Sequence, residues 1–79
     1  MKRIISKLMD YGIPFQYDNF GSQGEEIISH ELGVIIKDSQ GILTMNYEGE
    51  TETSKSNDKG FSLMVMRVDE ICIEQTASF

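Results

Sequence analysis

A chain of 79 residues makes one small domain, residues 1–79, and buries only about 60–65% of its unfolded surface, so any stability it has is marginal. Thirteen Asp and Glu against seven Lys and Arg leave a net charge of −6, which argues against direct contact with nucleic acid or an anionic lipid surface. The single cysteine, Cys72, excludes an intrachain disulfide, and no apolar run exceeds the four residues 63–66, too short for a signal-peptide core or a membrane span.

Taken along the chain, residues 2–11 predict an amphipathic helix. Ile4, Ile5, Leu8 and Met9 form one stripe, while Lys2, Arg3, Ser6, Lys7 and Asp10 fill the other face. Gly12 stands where a left-handed C′ residue ends a helix, and Pro14 forbids continuation. Lys2 and Arg3 lie at the end where the macrodipole disfavours cations, at a cost of a few tenths of a kcal/mol. Ile13, Phe15 and Tyr17 then alternate as one face of an edge strand, since Pro14 cannot donate to a ladder. Asp18 to Gly24 reads as a loop, with Phe20 either tucked under it or exposed.

Three apolar stretches follow: Ile27-Ile28, Leu32 to Ile36, and Ile42 to Tyr47. Lys37 to Gly41 is the clearest turn signal, with Gly41 supplying a positive φ. Residues 30–33 form either a tight turn between two strands or a glycine bulge in one long strand, and two strands are preferred. Glu48 to Lys59 has no large apolar residue and reads as a mobile loop or an extended hairpin tip. Phe61 to Val68 has strand character. The tail from Asp69 to Phe79 fits a helix through Val68, Ile71, Cys72 and Gln75, or a strand through Ile71 and Ile73, and β propensity places the strand slightly ahead.

These elements specify an α+β fold: an N-terminal helix packed on an antiparallel sheet of four or five strands, open or partly closed, with a C-terminal segment that is strand or helix. Ile27-Ile28, Val34 to Ile36 and Leu63 to Met66 put apolar groups on both sheet faces, yet a helix over 2–11 is about 15 Å long and covers one. The second face stays wet, or it is closed by a barrel, by a C-terminal helix, or by an interface with a protein or a second copy. Met45, Met64 and Met66 lie in the expected strands. Their adaptable thioethers suit either a core or a contact surface.

Chemistry is sparse. His30 is the only histidine, and on a strand Glu31 would point away from it. Cys72 has no basic neighbour to activate it, and Glu70 and Glu74 would raise its pKa if they shared its face. No cofactor or metal is expected. Glu48, Glu50 and Glu52 would share one face of an extended backbone, but nothing in the sequence completes a cation shell around them. No glycine pattern makes a phosphate loop.

Residues 7–28 (KLMDYGIPFQYDNFGSQGEEII) resemble the opening of many small uncharacterised proteins encoded by bacteriophages and mobile elements. There an amphipathic helix ends in Tyr-Gly-Ile or Asn-Gly-Ile, followed by an aromatic strand and a Gly-Gln loop. The shared positions are Leu8, Tyr11, Gly12, Ile13, Phe15 and Gln23, over about a quarter of the chain. The pattern departs at the acidic stretch from Glu25 and after Gly33. The resemblance implies an accessory product that acts by binding, and it carries over no site residues.

The expected function is therefore non-enzymatic: a cytoplasmic protein-binding module, an inhibitor of a host protein, with Met45, Met64, Met66, Glu48, Glu50 and Glu52 as its contact residues. One alternative is an acidic mimic of nucleic acid, built on Glu48, Glu50 and Glu52 with Asp69, Glu70 and Glu74. The other is a small homodimeric accessory protein.

Overall fold

In the computed structural model, which describes residues 1–77, the chain runs α1 (Lys2–Asp10), β1 (Gln16–Asn19), β2 (Glu25–Ser29), β3 (Val34–Ser39), β4 (Ile42–Tyr47), β5 (Glu50–Lys55) and α2 (Asp58–Ala77). The five strands form one open antiparallel meander in the order β1-β2-β3-β4-β5. The class is α+β with five strands, and the C-terminal segment is a helix.

α1 ends as its glycine dictates. Gly12 takes φ 66°, its N–H donates to Met9 at 3.0 Å, and the Ile13 N–H reaches back to Leu8 at 2.9 Å, the paired bonds of a Schellman stop. The misplaced cation at the start of this helix has a use across the layer. Arg3 donates to the Asp58 carbonyl at 3.2 Å and to Ser62 Oγ at 2.7 Å, tying the first turns of α1 and α2 together.

The β3–β4 and β4–β5 hairpins close through two-residue turns whose residues all take positive φ: Gln40 and Gly41 at 53° and 77°, Glu48 and Gly49 at 52° and 79°. Such primed turns match the right-handed twist of the flanking strands. Residues 30–33 form the turn between two separate strands, where Ser29 Oγ accepts from the Leu32 N–H and donates to the Pro14 carbonyl, satisfying a buried hydroxyl.

Register sorts the side chains. One cross-strand row on the helix-covered face is Ile27, Ile36, Met45 and Glu52, and the first three are fully buried, worth about 1.5–3 kcal/mol each. Ile4 and Leu8 from α1, with Met64, Val68, Ile71 and Cys72 from α2, complete the same core. Both helices therefore lie on one face. The opposite face, where Ile28 and Ile35 pair, carries no helix among the described residues.

Four expectations need correction. Residues 61–68 are not a strand but the first half of α2, and residues 69–77 continue that helix. The stripe Phe61, Met64, Val68, Ile71 and Cys72 repeats every three to four residues; splitting it at Val68 hid the period. Residues 78 and 79, the end of the tail segment, lie outside the described residues. The first strand begins at Gln16 and runs to Asn19, later than the alternation of Ile13, Phe15 and Tyr17 suggests, and Phe20 is exposed. Finally, the acidic stretch after Tyr47 is no long mobile loop but the second arm of a hairpin, turning at Glu48-Gly49 and bending at Ser56-Asn57 before α2. Residues 50–55 are β5, fully paired with β4, because hairpin pairing needs backbone partners rather than apolar side chains.

Candidate interaction surface

α1 is strongly amphipathic, whereas α2 carries apolar side chains on its outer side as well, interleaved with Lys59, Glu70 and Glu74, and that difference locates the site. The inward stripe of α2 packs on the sheet. Leu63, Met66 and Ile73 instead face outward, 50%, 60% and 53% exposed. They fall at i, i+3 and i+10 with Glu70 between them, so they line one side of the helix. A helix apolar on both sides is ordinarily covered on both.

Beside this stripe runs the open edge of β5. A shallow groove of about 280 Å³ lies between them, walled by Leu63, Met66, Arg67 and Glu70 on the helix and by Glu52 and Ser54 on the strand. Arg67 organises its floor. Its Nε donates to Glu52 at 2.8 Å and its Nη1 to Glu70 at 3.3 Å, while the guanidinium lies 5.7 Å above the ring of the buried Tyr47. Glu52 raises the pKa of Arg67 further, so this cation stays charged at every accessible pH.

The edge itself is backbone. The two-residue turn makes Tyr47 and Glu50 a hydrogen-bonded pair, so Glu50, Glu52 and Ser54 direct their backbone groups to β4. The Ser56 N–H donating to Gly41 continues that parity. Thr51 and Thr53 therefore present both N–H and C=O to the open side. Lys55 presents only its N–H, since its carbonyl accepts from Asn57 at 2.9 Å.

The structure redistributes the residues expected to make contact. Met45 and Met64 are 0% and 3% exposed and belong to the core, so only Met66 of the three methionines reaches the surface. Glu50 and Glu52 share the helix side of β5, but Glu48 sits in the turn with φ 52°, and the three carboxylates do not form one row. Leu63, Ile73 and the edge of β5 were not singled out from sequence. A helical reading of residues 58–77 would have found the first two.

Other chemistry disperses. His30 and Glu31 share the β2–β3 turn rather than a strand, and they flank a small cleft with Gln16 and Ile28. Cys72 is in the core, where burial pushes its thiol pKa up; the carboxylate that adds to this is Asp69, while Glu70 and Glu74 are exposed. Asp69 is engaged by α1, accepting from the Tyr11 hydroxyl at 2.6 Å and pairing with Lys7 at 3.6 Å. Among the described residues, no group of three or more His, Cys, Asp or Glu is placed to hold a metal ion. No helix among them is long and apolar enough to cross a membrane.

The uncovered sheet face is the second exposed surface. Ile28, Ile35 and Ile42 stand there among Thr44, Asn46, Thr51 and Thr53, with the Lys37–Glu26 ion pair at 3.5 Å. This mixture of β-branched and polar groups is what a solvated antiparallel face carries.

No protein-family model matches this chain, and no curated protein or solved structure matches it either.

Proposed function

We propose that this protein is a non-enzymatic, cytoplasmic binding module whose partner is a protein, and that it binds through the outer stripe of α2 and the neighbouring edge of β5. The observation that carries this reading is the second apolar side of α2. Leu63, Met66 and Ile73 are half or more exposed and line one side of a 20-residue helix. The resemblance of residues 7–28 to small phage and mobile-element proteins supports the narrower reading of an inhibitor that occupies a host protein.

The reading as an acidic mimic of nucleic acid draws less support. Glu52 and Glu70 are paired with Arg67, and Asp69 with Lys7, so three of the six carboxylates of the phosphate-like row are already engaged.

The test is capture by the wild-type chain and by Leu63→Lys/Met66→Lys, both checked for an intact fold by circular dichroism. Loss of the captured partner with the double variant, and retention with Ile28→Lys/Ile35→Lys, supports the α2 side. The reverse pattern moves the site to the open sheet face.

A further inference from the structure

Within the reading of α2 and β5 as a protein-binding side, we infer that the protein bound there is a second copy of this chain, related by one two-fold axis that pairs β5 with β5 and the outer stripe of α2 with itself.

A two-fold interface demands self-complementarity: where residue i meets residue j, j also meets i. The outer stripe of α2 has that property. Lys59, Leu63, Met66 and Glu70 are all exposed and fall at i, i+4, i+7 and i+11, on one line of the helix. Lys59 and Glu70 stand equally far on either side of the midpoint between Leu63 and Met66. Two such helices lying antiparallel about that midpoint set Leu63 against Met66 of the second copy and Lys59 against its Glu70, and each contact occurs twice. Glu70 is 62% exposed beside Arg67, so its carboxylate has room for a second cation.

β5 is self-complementary in the same way. It is a six-residue edge with neither proline nor a bulge to blunt it. Thr51, Thr53 and Lys55 direct backbone groups to the open side, so antiparallel self-pairing puts its axis on a residue rather than between two. An axis at Glu52 would oppose two carboxylates, which is destabilising. An axis at Thr53 opposes Thr53 to itself, Glu52 to Ser54 and Thr51 to Lys55, and axes nearer either end shorten the overlap. At Thr53 the two copies exchange N–H···O=C bonds, and the Lys55 N–H donates to the Thr51 carbonyl of the other copy.

The strand axis and the helix axis coincide. The groove beside β5 brings Thr53 and Ser54 together with Leu63 and Met66, so the midpoint of the stripe lies beside the midpoint of the pairing. One axis perpendicular to the sheet therefore serves both, and it leaves the helices of both copies on the same face of one continuous sheet. The net charge of −6 opposes association, but salt at physiological strength screens that repulsion beyond about 8 Å, while the Lys59–Glu70 contacts act within it. Each copy keeps its core between its own helices and sheet, so separated copies stay folded.

The test is sedimentation of the free protein over a concentration series, with charge reversals at the two ends of the stripe. The wild-type chain should sediment as a dimer, and Leu63→Lys/Met66→Lys as a monomer. Lys59→Glu and Glu70→Lys, each checked for fold by circular dichroism, should each raise the dissociation constant about tenfold, because like charges then meet across the axis. An equimolar mixture of these two single variants should dimerise about as tightly as wild type, since every pair across the axis is opposite again. A role of either residue within its own chain does not produce that rescue. Should a charge variant misfold, oxidative cross-linking reads the same axis. Thr53→Cys should cross-link, with opposed Cα atoms about 5.5 Å apart, and Thr51→Cys should not, being displaced along the strand beyond disulfide reach. Cys72 is buried and stays out of that reaction.

A wild-type chain that stays monomeric up to about 1 mM would overturn the proposal. So would a dimer that survives Leu63→Lys/Met66→Lys, which places the contact on another face. A mixture that recovers no dimer, or Thr51→Cys cross-linking as readily as Thr53→Cys, would overturn the two-fold arrangement. Capture of a different protein by a monomeric chain, lost with Leu63→Lys/Met66→Lys, would remove the second copy and leave the protein-binding reading of this side standing.

Discussion

A Cβ placed on Gly60 would lie 1.7 Å from the carbonyl oxygen of Lys55, so the first turn of α2 rests directly on the end of β5. On an open helix surface Gly→Ala gains up to about 1 kcal/mol of helix propensity. Here the clash is with backbone, which cannot swing aside, and steric repulsion outweighs that gain. Gly60→Ala is expected to lower the stability by about 1–3 kcal/mol, read as a drop in the urea midpoint at unchanged slope. A rise in the midpoint would show that the α2–β5 corner is looser than this geometry.

Asn57 caps the same helix. Its Oδ1 accepts from the Gly60 N–H at 2.8 Å, satisfying one of the four orphan donors of the first turn. Asn57→Ala is expected to cost about 1 kcal/mol, and Asn57→Asp to retain most of the stability because a carboxylate accepts the same bond and favours the helix N-terminus. Thermal melts of the two variants separate the cap from a general loop effect.

Met64 and Met66 are two residues apart on α2 and should differ sharply. Met64 is almost wholly buried, so Met64→Ala is expected to cost about 2–5 kcal/mol and Met64→Lys to unfold a domain of this size. Met66→Lys should change stability by no more than about 0.5 kcal/mol. Circular dichroism and denaturant titration of the pair decide this, and similar losses at both positions would contradict the placement of α2.

Stability should fall on the alkaline side. The hydrogen bond to Asp69 raises the pKa of Tyr11 above its ordinary 10.0, the bond to Glu25 does the same for Tyr17, and burial raises Cys72 above its ordinary 9.0. Each group holds its proton more tightly folded than unfolded. Its contribution is therefore complete below the unfolded pKa and is lost as pH rises through the folded one. Urea midpoints should decline as pH rises through about 9 and above. Tyr11→Phe should shallow that decline, and an unchanged profile would mean that the Tyr11–Asp69 bond does not form in solution.

What the sequence by itself determined is local. The stop of α1 at Gly12 and Pro14, the turn at Gln40-Gly41, and the separate strands around residues 30–33 all follow from backbone preferences of glycine and proline and from short-range periodicity. Only the tertiary structure decided the rest. Ile, Val and Cys in residues 61–77 have a β preference that packing overrides, since a helix there can lay Met64, Val68 and Ile71 on the sheet as a strand could not. The strand at residues 50–55 is stabilised by the register of its hairpin, which composition does not report. Which methionine is core and which is surface depends on the direction in which α2 turns each side chain, and the groove beside β5 exists only because two elements distant in character, an acidic strand and a helix apolar on both sides, lie next to each other in space.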